Sequence, residues 1–195
     1  MPTLHIPRTP VGRPGLYLMA ALASVLAACA APSPSSQAQA QADAMCITRN
    51  PHGSRQQLCI PQPAPAQQRE LAQARARDLK PLPDQARLFV LRDAWTDDWN
   101  LVEVSVDGAP PLATLPGTFG QWQLSPGRHE LWLRWRDGEA RTLLQADAGS
   151  VISVDVKGRL LPGLMTYAWS TPGPAPSESR LKPLGWAGPW SRQGD

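Results

Sequence analysis

The cysteine at position 29 is the residue of this chain whose surroundings most clearly indicate a chemical reaction. It follows Leu26-Ala27-Ala28 at the end of an apolar run that begins at Leu16, and Arg8 and Arg13 precede that run. Basic residues, an apolar run and small residues in this order are typical of a secretory leader. The run is shorter than the roughly 20 apolar residues that a membrane-spanning helix needs. Leu26-Ala27-Ala28-Cys29 matches the bacterial lipobox, so we expect cleavage before Cys29 and acylation of its thiol, with palmitate among the acyl chains.

Lipidation of Cys29 predicts where the rest of the chain is held. Two or more acyl chains give stable attachment to a bilayer, so no further membrane helix is required. An Asp after the cysteine would resemble an inner-membrane retention signal. Ala30 occupies that position, which favours the outer membrane, with the domain facing the periplasm.

Charge argues against one class of partner. The leader, residues 1–28, holds two of the 19 basic residues and none of the 16 acidic residues. The chain after the leader is therefore close to neutral and carries no basic block, so nucleic-acid binding is not expected.

The two other cysteines, Cys46 and Cys59, form a natural pair once Cys29 is lipidated. In an oxidising envelope compartment this even number predicts a disulfide, and Asn50-Pro51-His52-Gly53 supplies a turn between them. A redox-active pair is the weaker alternative, since catalytic dithiols normally have the Cys-x-x-Cys spacing. A zinc site is weaker still, because His52 is the only imidazole nearby.

Composition and periodicity divide the chain after the leader into four parts. Residues 29–44 read as a flexible tether, and residues 45–85 hold the disulfide loop and a short helix over residues 67–80. Residues 86–170 show the alternation of apolar and polar residues that is typical of strands, with turn residues at short intervals. The Pro- and Gly-rich tail, residues 171–195, is expected to be disordered or loosely docked.

The strand pattern predicts an all-β fold, an antiparallel sandwich of about seven to eight short strands, with a short N-terminal helix and disordered tails. The apolar stretch Arg87–Arg92 is suited to a central strand. Asp107-Gly108 and Asp137-Gly138 are strong hairpin-turn signals. The expected strands are residues 87–92, 101–106, 112–115, 118–124, 129–136, 141–147, 151–156 and 164–169.

Several short motifs of the strand region occur in an order that resembles a known group. They are Ala86-Arg-Leu-Phe-Val-Leu-Arg92, Val104-Ser-Val-Asp-Gly108, Gly117-Thr-Phe119, Pro126-Gly-Arg-His-Glu-Leu131 and Ala148-Gly-Ser-Val-Ile-Ser-Val154. The order resembles a family of uncharacterised proteobacterial lipoproteins with a domain of unknown function. It is also similar to the PEGA-type β-sandwich of surface proteins. The resemblance implies a PEGA-like or transthyretin-like sandwich on an envelope lipoprotein, and it implies no catalytic residue.

Residues that would carry catalysis or hold a metal are few in this sequence. The motifs of serine hydrolases, zinc proteases and phosphate-binding loops do not occur. Asp93, Asp97 and Asp98 do not follow a known calcium-loop spacing, so a solvated turn explains them better. His129 is expected to pack on or cap its turn. We therefore predict a non-enzymatic protein with no metal and no cofactor.

The tryptophans suggest a binding surface. Eight occur in the chain, and exposed indoles are typical of surfaces that contact a partner. We expect candidate partner-binding residues at Trp95, Trp99, Trp132, Arg134 and Arg136. The first hypothesis is that they contact another envelope protein, and the second is that the tryptophans bind peptidoglycan or another polysaccharide. An open alternative is that the tail, which carries Trp186 and Trp190, or the short helix folds back and covers exposed tryptophans.

Overall fold

A computed structural model describes residues 44–49, 56–62, 65–93, 100–162 and 164–189 of the 195-residue chain. The predicted leader, Cys29 and almost all of the predicted tether lie outside these ranges, as do Trp95, Trp99 and Trp190. The described residues form mostly strands, with two short helices, and the all-β prediction is confirmed.

The described part of the chain begins with a disulfide-closed hairpin. Strand β1 (Ala44–Arg49) pairs antiparallel with β2 (Gln56–Pro61), and the register places Cys46 opposite Cys59. Their sulfurs are bonded, at 2.06 Å, which confirms the predicted disulfide. The apolar side chains of the hairpin, Ile60 above all, pack against Leu115 and Ala187.

A single helix of three turns follows the hairpin. Helix α1 (Ala66–Ala76) is shorter than the predicted span 67–80, because the backbone turns out of the helix at Arg77 before Pro81 is reached. Its buried residue, Ala76, faces the sheet that follows. The Arg77 guanidinium donates a hydrogen bond of 2.7 Å to the Leu184 carbonyl, so the helix end is tied to a distant part of the chain.

Four strands form an antiparallel sheet, which we call the small sheet. Its spatial order is β5-β4-β7-β8. Asp107 and Gly108 both have positive φ, at 52° and 70°, which is the requirement of the turn that follows β4. A two-residue turn, Arg136-Asp137, joins β7 to β8. The bounds are β4 (Val102–Val106), β5 (Leu112–Thr114), β7 (Gly127–Trp135) and β8 (Gly138–Ala146).

The large sheet contains the remaining strands and is mixed, which differs from the antiparallel sandwich expected from the sequence. Its order is β10-β9-β3-β6-β12, with β11 beside β9. Strand β3 is parallel to β9 and β6 is parallel to β12, because the chain returns to this sheet after strands of the other one. The bounds are β3 (Ala86–Arg92), β6 (Thr118–Leu124), β9 (Val151–Leu161), β10 (Leu164–Trp169), β11 (Gly173–Pro174) and β12 (Gly185–Gly188).

Strand β3 is the centre of the fold, as its apolar sequence predicts. All seven of its residues are buried, since both faces of the large sheet are covered at this point. Leu88 and Val90 face the small sheet and join the main core with Val104, Leu131 and others. The opposite face of β3 carries Phe89 and Leu91, which belong to a second apolar cluster.

A buried arginine joins the two sheets. Arg92, 1% exposed, ends β3 and donates hydrogen bonds of 2.6 Å to the Thr114 carbonyl of β5 and 2.7 Å to the Asn100 carbonyl. Its guanidinium carbon lies 5.4 Å from the ring centre of Tyr167 on β10. Arg92 therefore links three separate segments through one side chain.

The C-terminal segment, which we define as residues 173–188, is part of the large sheet. It contains β11, helix α2 (Glu178–Leu181) and β12, and Trp186 of β12 stands beside Phe119 of β6. Leu181, Leu184 and Trp186 are buried against Phe89 and Phe119, with α1 on the same side. The expectation of a disordered or loosely docked tail is therefore wrong for residues 173–188. The open alternative that the tail folds back holds for Trp186, whose own ring fills the cluster.

Candidate functional site

The outer face of the small sheet, which points away from the main core, carries the predicted residues Trp132 and Arg134. Both lie on β7, where alternate residues point to opposite faces, so Leu131 and Leu133 point into the core. The antiparallel register places Ser105 and Arg141 on either side of Trp132, and Glu103 and Glu139 on either side of Arg134. We call the side chains of Glu103, Glu130, Trp132, Arg134, Glu139, Arg141 and Leu143 the charged face.

Trp132 lies at the centre of the charged face, beneath two guanidinium groups. The guanidinium carbon of Arg134 is 5.3 Å from the centre of the indole ring, and that of Arg141 is 5.1 Å away. Both distances are within the range of cation–π attraction, and arginine stacks on tryptophan particularly well. Trp132 is therefore half-buried, and it is not the open indole that the sequence suggested.

Carboxylates hold both guanidinium groups in place. Arg134 donates from Nε at 2.8 Å and from Nη2 at 2.5 Å to Oε2 of Glu103. Arg141 lies 3.5 Å from a carboxylate oxygen of Glu130 and 3.5 Å from one of Glu139. Isolated surface ion pairs contribute little to stability. Here one pair joins β4 to β7 and the pairs of Arg141 involve β7 and β8, with the Trp132 ring between the two groups, so the carboxylates orient both arginines over the ring.

Arg136, the third predicted residue of this site, does not contact the Trp132 ring. It lies in the β7–β8 turn with its side chain 87% exposed, and its closest carboxylate oxygen belongs to Asp137, at 4.0 Å. Arg134 and Arg136 meet instead at the edge of the charged face, where they line an open cleft of about 510 Å³ with Asn100, Leu101, Glu103 and Trp135. Trp95 and Trp99 fall in residues 94–99, outside the described part of the chain.

Arg141 is the arginine over the Trp132 ring that the sequence prediction missed. The signal that could have found it is the hairpin register: with Arg136-Asp137 as the two turn residues, Trp135 pairs with Gly138, and Trp132 pairs with Arg141. The Asp137-Gly138 dipeptide suggested a turn one residue later. Gly138 has another role, since a Cβ atom there would come within 2.8 Å of the Trp135 ring.

His129 forms a separate polar site on the other face of β7. It is buried, with Nδ1 2.5 Å from a carboxylate oxygen of Asp107 and Nε2 2.7 Å from the carbonyl oxygen of Ser125. It packs between two turns, as the sequence predicts. Both partners are acceptors, so both ring nitrogens must donate, and the imidazole is held in its charged form. Burial opposes this charge, but the hydrogen bonds from the ring to Asp107 and Ser125, with the attraction of the Asp107 carboxylate, raise the pKa of His129 above 6.5.

The raised pKa of His129 predicts a pH-dependent stability. A group whose pKa is raised on folding stabilises the protein fully below its unfolded pKa, about 6.5 for histidine. That stabilisation is lost as the pH rises through the folded pKa. We expect the free energy of unfolding, measured by urea denaturation, to fall above about pH 6.5 more steeply in the wild type than in His129→Gln. Parallel pH curves for the two proteins would contradict this assignment.

Two structural features are absent from the described residues. They contain no group of three or more His, Cys, Asp or Glu side chains placed to hold a metal ion. Within the same residues, no helix is both long enough and apolar enough to cross a membrane.

No family model, no curated protein and no solved structure matches the sequence or the fold.

Proposed function

We propose that the protein is a lipid-anchored lipoprotein of the bacterial outer membrane whose β-sandwich binds another envelope protein in the periplasm. The lipobox at Cys29 and the leader before it support the location. The observation that carries the binding function is the stack of Arg134 and Arg141 over Trp132, held by Glu103, Glu130 and Glu139. Nothing in the arrangement serves as a nucleophile with its base, so the proposed role is not catalytic.

The composition of the charged face favours a protein partner. Tryptophan and arginine are the residue types that most often dominate the binding energy of protein interfaces. The ion pairs order these side chains before any partner arrives, which reduces the entropy lost on binding. Leu143, 57% exposed, adds an apolar contact beside them. A partner of matching chemistry presents carboxylates to Arg136 and an apolar patch to Leu143.

The glycan hypothesis has less support from the tryptophans that the structure describes. A sugar ring stacks on an open indole face. Arg134 and Arg141 already lie over Trp132, while Trp122 and Trp186 are buried. Trp135 packs against Tyr167, with ring centres 5.4 Å apart, and Trp169 packs against the main core. Trp95 and Trp99 lie outside the described residues, so the proposed partner is a protein and the glycan is an outcome that the experiment distinguishes.

Site-specific photocrosslinking in living cells tests this proposal. A photoreactive amino acid in place of Leu143 is expected to give a discrete, light-dependent adduct of higher mass. Leu71, 62% exposed on α1, is the matched control because it is the same residue type with similar exposure on another surface. An adduct whose higher mass is unchanged by muramidase indicates a protein partner. An adduct that collapses on muramidase treatment favours the glycan, and equal yields at positions 143 and 71 contradict the proposal.

A charge reversal provides the second arm of this experiment. Arg141→Glu places a third carboxylate beside Glu130 and Glu139 and removes one guanidinium group from Trp132. We expect it to reduce the crosslink at position 143 at least about tenfold, which corresponds to 1.4 kcal/mol of binding free energy. Lys182→Glu, an exposed reversal on a different surface, is expected to leave the yield unchanged.

A further inference from the structure

The β9–β10 hairpin ends in a cluster of exposed leucines. Leu160 is 69% exposed, and Leu161 and Leu164 are each 42% exposed, with Pro162 exposed between them. Strand β9 pairs with β3 only as far as Asp155, so its remaining residues have β10 as their one partner strand in the described structure. The hairpin therefore projects past the sheet and carries large apolar side chains at its end.

The projecting part of this hairpin, residues 156–169, carries basic residues and no acidic ones. Between Val156 and Trp169 the sequence contains Lys157 and Arg159 but neither Asp nor Glu. The ammonium of Lys157 lies 3.0 Å from an Asp155 carboxylate oxygen, while Arg159, which is exposed, pairs with no carboxylate of the described residues. The antiparallel register places Leu161 opposite Leu164 and Arg159 opposite Thr166 on one face of the hairpin. A cation thus stands directly beside the apolar end.

Exposed leucines beside an arginine are suited to the interface between the headgroups and the acyl chains of a bilayer. Aliphatic side chains gain free energy by leaving water for the acyl region, and an adjacent arginine is attracted to anionic headgroups. The proposed anchor keeps the domain close to such a surface. The 15 residues from Cys29 to the start of β1 reach at most about 50 Å when fully extended.

We propose that Leu160, Leu161 and Leu164 insert into the headgroup region of a bilayer that contains anionic lipids. The hairpin then acts as a second attachment point, and it fixes how the sandwich is oriented relative to the membrane. This inference rests on the proposed lipid anchorage, since three leucines alone bind a membrane only weakly. It concerns a different surface from the charged face.

The test measures the depth of the hairpin in a membrane. The full chain, purified from the membranes of expressing cells, is reconstituted into vesicles of phosphatidylcholine and phosphatidylglycerol. An environment-sensitive fluorophore is attached through Pro162→Cys, or through Leu71→Cys as the control; Cys46 and Cys59 are bonded to each other and do not react. We expect a blue shift at position 162, and quenching by lipids that carry a nitroxide on the acyl chain. Neither is expected at position 71.

Further variants separate this inference from its alternatives. Leu160→Asn, Leu161→Asn and Leu164→Asn together are expected to abolish the blue shift, and Arg159→Gln is expected to reduce the quenching several-fold in anionic vesicles. Equal emission at positions 162 and 71 overturns the inference. A shift that grows with protein concentration in the absence of lipid also overturns it, because a second copy would then cover the leucines. Lipidation of Cys29 is measured separately as incorporation of labelled palmitate, which Cys29→Ala is expected to abolish.

Discussion

Replacing Trp186 with alanine is expected to lower the free energy of unfolding by about 3–5 kcal/mol, the usual cost of removing a large buried aromatic side chain. Trp186 is 7% exposed and fills the cluster formed by Phe89, Phe119 and Leu181. Its backbone N–H also donates to Oε1 of Gln73 on α1, at 3.3 Å. Loss of the ring leaves a cavity between the large sheet and the helix, so the whole C-terminal segment should loosen with it.

The measurement is urea denaturation followed by far-ultraviolet circular dichroism. Trp132→Ala is the matched control, because it makes the same substitution at a half-buried position on the charged face, where we expect a loss of about 1 kcal/mol. A cost for Trp186→Ala as small as about 1 kcal/mol would contradict the expectation that the C-terminal segment unfolds together with the sandwich.

Replacing Arg92 with alanine is expected to cost about 3 kcal/mol or more. The substitution leaves the carbonyl groups of Thr114 and Asn100 without the donor that now binds them, and an unsatisfied buried polar group costs roughly 1–3 kcal/mol. The cation over the Tyr167 ring is lost at the same time. Because these partners belong to three segments, the damage should reach both sheets.

Two further variants test whether the stability lost with Arg92 depends on the geometry of its hydrogen bonds and not on its charge alone. Arg92→Lys keeps the positive charge but cannot direct two separate N–H groups from a planar group, so it should recover only part of the loss. Arg134→Ala removes an arginine whose side chain is 50% exposed and should cost about 1 kcal/mol or less. Complete recovery by lysine would contradict the role of the paired hydrogen bonds.

Local patterns in the sequence were sufficient to predict most strands. Alternation of apolar and polar residues places β6 and β10 at their observed bounds, and the continuous apolar sequence of β3 places it at the centre. The even cysteine pair predicts the disulfide. These signals depend only on residues close together in the sequence, so they can be recognised without knowledge of the tertiary structure.

Features that depend on distant pairing could not be predicted in the same way. The parallel pairs β3–β9 and β6–β12 join segments far apart in the sequence, and no local pattern specifies such partners. Strand β12 is short and follows a Pro- and Gly-rich stretch whose composition is typical of disorder. β12 is ordered because it packs on apolar side chains of β3 and β6. These side chains are far apart in the sequence, so the surface that they form is not visible there.

At the candidate site, the prediction lacked only the exact register of the β7–β8 hairpin. Trp132 and Arg134 could be placed together because they are two residues apart on one strand. Arg141 joins them only when the β7–β8 turn is assigned to the right two residues. A shift of one residue in a hairpin moves every cross-strand partner, so Arg141 was missed. Arg136 was predicted because it continues the alternation of Trp132 and Arg134 along the sequence.

The position of β12 has a consequence for when the large sheet can be completed. The ribosome makes this strand after every other strand of the large sheet. Until residues 173–188 arrive, the face that carries Phe89, Leu91 and Phe119 lacks Leu181, Leu184 and Trp186, and in the described structure α1 covers it only in part. A chain that stops before this point therefore leaves part of that apolar face exposed to solvent.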